Sequence, residues 1–221
     1  MSIFVFILIP NQSKTSGFII ADHSNMKNKT AEALERYRQK LASLSPLSED
    51  NFMQLANVMH ETHFSKGEVL LREGQVCREY FFIIKGCIRS FGLEDGKEVN
   101  VKFYFEDDTV CDYESFRWEK PSEFYFVAME DTIALSATKA DAVPVWASDS
   151  GLNMLLFRFF QDLFMKEEEH SNTFKLLSPE ERYRFLLENR PQYLTRIPLV
   201  YLASYMGVSR ETLTRIRQRA T

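Results

Sequence analysis

With 221 residues, 45% of them hydrophobic and 26% charged, the chain has globular composition and room for a core domain plus a smaller one, which excludes collagen-like, low-complexity and wholly disordered readings. A net charge of −4 excludes a surface that is positive everywhere but allows one local basic patch. The three cysteines, Cys77, Cys87 and Cys111, form no C-x-x-C pair, so neither a disulfide framework nor a zinc or iron–sulfur site is suggested, and a reducing cytoplasm is the simplest compartment.

Residues 1–26 read as an N-terminal extension of uncertain standing. Their longest uncharged apolar stretch, Ile3 to Ile9, is far shorter than the roughly 18 to 20 residues that cross a bilayer. It lacks the positive flank and small-residue cleavage site of a secretory signal, so neither membrane nor export is expected. The charged, helix-compatible run beginning at Lys27 suggests that translation starts at Met26, which N-terminal mass spectrometry of the native protein decides.

Residues 27–149 are expected to form one domain. Leu34, Tyr37, Leu41 and Leu44 recur at spacings of three and four, which predicts a helix, and after Pro46 a second helix reaches residue 60 with Ser48 as its N-cap. Beyond His63, short apolar or alternating runs separated by Gly67, Gly74, Gly86, Gly92 and Gly96 predict strands at Val69–Leu71, Tyr80–Ile84, Ile88–Leu93, Glu98–Phe105, Glu123–Met129 and Thr132–Ala137. Asp95-Gly96 is the strongest hairpin signal. Many short strands with no helix between them favour a closed sandwich or jelly roll over a parallel sheet.

From Gly151 to about Thr173 the period changes again. Leu152, Leu156, Phe159 and Leu163 make a heptad-like seam, and Leu155, Phe160 and Phe164 widen it, so this helix (150–174) is expected to pack on the roll and against a second copy of itself. An ordinary core helix is the plainer reading.

The remainder, 175–221, is divided by Pro179, Pro191 and Pro198 into helical pieces at Glu180–Asn189, Leu199–Met206 and Arg210–Arg219. Residues 178–221 hold eight Arg and four Glu, a local charge of +4 against −8 in the rest, as expected of an acidic body with a polyanion-facing tail or of a solvated helix face. Leu202, Ala203, Met206, Val208, Leu213 and Ile216, with Gly207 at the turn, fit a helix-turn-helix. Ser209 can cap the second helix, Arg210, Glu211 and Thr214 then point outward, and Arg215, Arg217 and Arg219 line it.

Val208-Ser209-Arg210-Glu211-Thr212-Leu213 and Arg215-Ile216 resemble the recognition helix of bacterial transcription regulators of the cyclic-AMP receptor and Fnr type, the Crp/Fnr family. Phe64 through Leu70, Glu73-Gly74 and Tyr80 through Gly86 resemble the opening of that family's cyclic-nucleotide-binding-type β-roll. The resemblance implies an α+β fold of jelly-roll β-barrel, long dimerisation helix and C-terminal helix-turn-helix. It also implies a homodimer on double-stranded DNA, with RNA polymerase as a further partner. By that analogy Arg210, Glu211 and Arg215 read bases, while Ser209 and Thr212 bind phosphate. The chain ends at Thr221, so the family's usual wing is expected to be absent or replaced.

The family's cyclic-nucleotide pocket uses a Gly-Glu turn and an Arg-Ser pair. Here these positions fall on Cys111-Asp112 and Ser122-Glu123, with no arginine and with Glu106, Asp107 and Asp108 just before. A phosphodiester would lose a charge-assisted hydrogen bond of about 1.5–3 kcal/mol, so no tight binding of cyclic AMP or cyclic GMP is expected and any effector is of unknown kind. Phe103, Phe105, Phe124 and Phe126 are expected to fill the roll, and the cysteines to be buried and inert. Two rivals remain. One is a regulatory module whose Arg-rich helix binds an acidic protein. The other is a cupin-like metal enzyme using His60 and His63, placed within helical reach of each other, although His23 and His170 offer no third ligand at a recognisable spacing. No cofactor, metal or catalytic residue is otherwise expected.

Overall fold

The structure, a computed structural model, describes residues 31–220. The proposed start at Met26 and His23 lie outside them. Helix α1 (Ala31–Leu44) turns Leu34, Tyr37 and Leu41 inward, and helix α2 (Glu49–Val58) begins where expected, its cap Ser48 accepting from the Asn51 N–H at 3.2 Å.

Eight strands follow: β1 (His60–Phe64), β2 (Val69–Leu71), β3 (Glu79–Lys85), β4 (Ile88–Glu94), β5 (Lys97–Tyr104), β6 (Thr109–Val110), β7 (Tyr125–Ala128) and β8 (Thr132–Thr138). The short helix α3 (Tyr113–Trp118) sits between β6 and β7, which corrects the expectation that no helix interrupts the strands; its six residues are too few to show a helical period. The strands build two four-stranded antiparallel sheets, ordered β1-β8-β3-β6 and β2-β7-β4-β5. Pairs β1–β8, β2–β7, β3–β6 and β4–β5 nest around the β4–β5 hairpin, which is the winding of a jelly roll. At its tip Asp95 and Gly96 both take left-handed backbone, with φ of 51° and 75°, the turn whose twist matches the flanking strands.

Strand alternation divides the apolar residues between two cores. Ile83, Ile88, Tyr104, Val110 and Phe126 fill the space between the sheets. Phe82 and Leu135 point the other way, under a layer made by α1, α2, α4 (Lys139–Ser148) and α5 (Ser150–Leu176). Asp149 caps α5, accepting from Gly151 N–H at 2.7 Å and Leu152 N–H at 3.3 Å.

Four short helices complete the chain: α6 (Pro179–Asn189), α7 (Pro191–Arg196), α8 (Leu199–Tyr205) and α9 (Arg210–Ala220). Ser178 and Glu181 form a capping box at the start of α6. Tyr183, Leu186, Tyr193, Leu202, Met206, Leu213 and Ile216 make a third core, which runs without a break into Cys87, Phe103 and Phe105 of the roll.

Several expectations are corrected. His60 begins strand β1 rather than ending a helix. A three-residue step on a strand puts His60 and His63 on opposite faces, so they are not a ligand pair of the helical kind. Strand β6 is too short to announce itself by alternation. Helix α4 carries Pro144 in its interior, and α7 is a single short piece between Pro191 and Pro198. Phe103 and Phe105 face the C-terminal helices, leaving Phe126 inside the roll and Phe124 partly buried beside it.

Of the residues assigned to a dimer seam, Leu152 and Leu156 are buried in the chain's own helical core. Phe159 lies half-buried, its ring centre 6.3 Å from that of Tyr113, and Leu163 is also half-buried. The exposed apolar stripe of α5 is instead Met154, Phe157, Phe164 and Met165, with Phe164 63% accessible. The helix is apolar on two sides, and its spacing alone does not tell which side the roll covers.

Candidate nucleic-acid interface

Helix α8 presents Leu202 and Ala203 to the C-terminal core, and the chain then reverses direction. Gly207 makes the turn possible with φ of 66°, a conformation that a Cβ would strain. Gly207 N–H donates to Ser204 O at 3.1 Å and Val208 N–H to Ala203 O at 3.0 Å, which ties off the end of α8. Ser209 caps α9 as expected, its Oγ accepting from Thr212 N–H at 3.1 Å. Leu213 and Ile216 are buried, anchoring one face of α9.

The other face stays in solvent. Arg210, Glu211, Arg215, Arg217 and Arg219 are exposed, and Thr212 and Thr214 are half-buried. Thr214 Oγ1 donates back to Arg210 O at 2.9 Å, and Arg215 Nη2 donates to Thr212 Oγ1 at 3.3 Å. Arg219 approaches Glu180 at 3.9 Å. The backbone N–H of Glu211 at the helix start, together with Ser209, holds the Glu211 carboxyl below its ordinary range, so it stands ionised as an acceptor. The helix therefore offers guanidiniums and one carboxylate on a rigid, capped rod that its own body does not cover.

Not all of the tail's positive charge is available to a partner. Arg182 is a structural cation: its Nε donates to Leu177 O at 3.0 Å, Nη1 to Met206 O at 3.0 Å and Nη2 to Phe174 O at 2.9 Å. It thereby joins the ends of α5 and α8. Arg190 pairs with Glu169 at 2.7 Å. Arg196 grips Glu106 through two bonds of 2.6 and 3.0 Å and also pairs with Glu130. Sequence reasoning counted these three with the polyanion-facing tail, and no local motif separates them from the arginines of α9.

A second contact fixes the pose of the helix-turn-helix. Buried Arg89 of β4 lies between the rings of Phe91 and Tyr201, 4.1 Å from each centre, and bonds Asn100 Oδ1 at 3.0 Å and Glu98 at 2.7 Å. Ser204 of α8 accepts from Asn100 N–H at 3.0 Å and donates to Glu98 O at 3.1 Å. The first helix of the motif is thus hydrogen-bonded to the edge of β5, while α9 faces away.

Two of the four residues assigned to the degenerate nucleotide pocket, Asp112 and Ser122, come together, in a pattern that serves the fold. Asp112 caps α3 through Ser115 N–H at 3.0 Å, and its other oxygen accepts from Ser122 Oγ at 2.7 Å. Ser122 Oγ also accepts from Phe124 N–H at 3.0 Å. Cys111 lies against Cys77, and Glu123 is exposed. Both Asp112 oxygens are thus engaged within the fold, and the Ser122 hydroxyl is committed to Asp112 and Phe124.

A separate cavity of about 460 Å³ opens between β5, α5 and the α6–α7 junction. Lys102, Asp108, Tyr113, Phe159, His170 and Tyr193 help to line it. Burial raises the Asp108 carboxyl above its ordinary range, and the buried Tyr113 hydroxyl has no hydrogen-bond partner. Among the described residues no group of three or more His, Cys, Asp and Glu is placed to hold a metal ion, and no helix is long and apolar enough to cross a membrane.

Residues 61–148 match the model of the cyclic nucleotide-binding domain. No curated protein sequence matches the chain. Among solved structures, FixK2 from Bradyrhizobium japonicum is similar at 18% identity and a TM-score of 0.60, over 73% of this chain and 84% of that one. The catabolite activator protein of Thermus thermophilus is similar at 19% identity and a TM-score of 0.52, over 81% and 85%. A CooA mutant from Carboxydothermus hydrogenoformans gives 16% identity and a TM-score of 0.59, over 88% and 86%. At these identities the likeness is one of fold. The class so defined is a cyclic-nucleotide-binding-type β-roll followed by a long helix and a helical C-terminal unit. Over residues 61–148 the chain matches the cyclic nucleotide-binding domain, and its fold as a whole is similar to those of these regulators.

Proposed function

We propose that this chain is a sequence-specific DNA-binding transcriptional regulator of the Crp/Fnr type that works in the cytoplasm as a homodimer. The observation that carries the reading is α9: a capped helix whose apolar face is buried and whose opposite face keeps Arg210, Glu211, Arg215, Arg217 and Arg219 in solvent. Arg210 and Arg215 would meet guanine edges, where a planar fork satisfies two acceptors at once. Glu211 would accept from a cytosine amino group. Ser209, Thr212 and Thr214, with Arg217 and Arg219, would contact phosphates and set the register.

The stripe of Met154, Phe157, Phe164 and Met165 supports the dimer, because α5 otherwise leaves large apolar side chains in water along one side. Two copies joined there would present two α9 helices to a two-fold symmetric site. The β-roll would serve as scaffold or sensor without tight binding of cyclic AMP or cyclic GMP, since Asp112 and Ser122 are engaged with each other. RNA polymerase is the partner such a regulator would meet on the promoter.

Gel shifts with host genomic fragments over a range of salt concentrations test this reading. Sequence-selective retention that weakens as salt rises, and that Arg215→Ala abolishes, is the expected result. Retention indifferent to Arg215→Ala overturns it.

A further inference from the structure

Cys77 and Cys111 are 34 positions apart in the chain, yet their sulfurs lie 3.9 Å from each other inside the roll. Neither belongs to a strand: Cys77 lies within the connection between β2 and β3, and Cys111 follows the last residue of β6. A shift of the connecting backbone can therefore close the gap to a bond of about 2 Å without breaking a sheet ladder. The surroundings are asymmetric. The Cys77 N–H donates to Ser115 Oγ at 2.8 Å and its Sγ–H to Glu79 O at 3.2 Å, whereas Cys111 is packed among apolar side chains. The adjacent Cys111 thiol holds Cys77 below the ordinary thiol value, while burial pushes Cys111 well above it. Cys77 thus loses its proton first.

We propose that Cys77 and Cys111 are an oxidisable dithiol that hydrogen peroxide converts into an intramolecular disulfide. The Cys77 thiolate attacks one peroxide oxygen; the S–O bond forms, the O–O bond breaks and the departing hydroxide takes up a proton as water. The Cys111 sulfur then attacks the Cys77 sulfenic acid. The S–S bond forms, the S–O bond breaks, and the leaving hydroxide carries away the Cys111 proton as a second water. Two thiols are oxidised by two electrons and one hydrogen peroxide is reduced. Cys87, buried like the other two, is the internal control: its sulfur neighbour is the Met129 thioether at 3.9 Å rather than a second thiol, and burial pushes its own thiol up to about 12.

The tie would act on more than the two sulfurs. Cys111 precedes Asp112, the cap of α3, and the ring of Tyr113 meets those of Phe159 and Phe160 on α5 at 6.3 and 5.8 Å. A displacement of the β6–α3 junction is therefore transmitted to α5. The dithiol chemistry is independent of DNA binding and can fail or succeed separately.

Hydrogen peroxide added to the reduced full-length protein, followed by thiol titration in denaturant and peptide mapping without reductant, tests it. The expected result is a fall from three titratable thiols to one, a linked Cys77–Cys111 peptide, and recovery of all three thiols with dithiothreitol. Cys111→Ser should yield a dimedone adduct on Cys77 and no link. Three thiols surviving in the wild type, a link through Cys87, or bonds only between chains would each overturn the proposal, and the wild-type map stands even where a variant does not fold.

Discussion

Among single residues, the arginines of the C-terminal unit divide by what surrounds them. On α9 they meet solvent, so Arg210→Ala is expected to relax base preference at one position per half-site, at a cost of about 1–3 kcal/mol in binding to the preferred site. Arg217→Ala is expected to weaken all sequences alike and to reduce the salt slope by about one, as competition gel shifts at two salt concentrations would read. Arg182 belongs to the other group. Its guanidinium satisfies three carbonyls at the ends of α5 and α8, and an alanine there strands them. Urea unfolding of Arg182→Ala should show a loss of about 3 kcal/mol, with Arg182→Lys recovering only part because one ammonium cannot span the same fork. Caps and turn residues were legible one by one: Ser48, Asp95-Gly96, Gly207 and Ser209 each sit where local chemistry demands. The partners of Arg182 are not legible, because they are brought together by folding.

At the scale of elements, α5 separates what periodicity reports from what it leaves open. Its apolar spacing marks a long helix that is apolar on two sides, and that helix is present as α5. Which face meets the roll is settled only by packing, which makes Leu152 and Leu156 core and leaves Phe157 and Phe164 exposed. Leu156→Ala is expected to destabilise the isolated chain by about 2–5 kcal/mol in thermal or urea unfolding. Phe164→Glu should leave unfolding of the chain nearly unchanged yet shift sedimentation from dimer toward monomer. A variant that still sediments as the wild type does would remove the exposed stripe as the dimer seam. The short elements β1, β6, α3, α4 and α7 escaped sequence reading for a related reason: each is held by its neighbours, β1 by its ladder with β8 and β6 by its ladder with β3, and none carries enough periodic residues to stand alone.

Taken whole, the molecule docks its C-terminal helices on the roll through a continuous core and two polar clasps. One is Arg89 between Phe91 and Tyr201; the other is Arg196 on Glu106 and Glu130. Burial alone would raise the Glu106 carboxyl, but hydrogen bonds from Arg196 and the Gly86 N–H outweigh it and hold it at about 2. A carboxyl depressed on folding contributes stability that is complete above its ordinary pKa and lost as pH falls through the depressed one. The clasp should therefore weaken between about pH 4.5 and pH 2, contributing about 2 kcal/mol at neutral pH once solvent screening is allowed for. Glu106→Gln should flatten the pH dependence of unfolding in that window, and an unchanged profile would remove Glu106 as its source. Since α8 is bonded to β5 while α9 faces outward, anything that loosens these clasps changes where α9 is held relative to the roll.

The order of the elements, the two sheet-forming and helix-forming regions, the tight turns and the helix-turn-helix itself were determined by sequence, because each is encoded by residues within a few positions of one another. Tertiary structure decided which face of α5 is core, which arginines are structural, how Asp112 and Ser122 are engaged, and that Cys77 meets Cys111. Those outcomes depend on contacts between residues far apart in the chain, whose distances are set only when the roll closes and the helices pack against it.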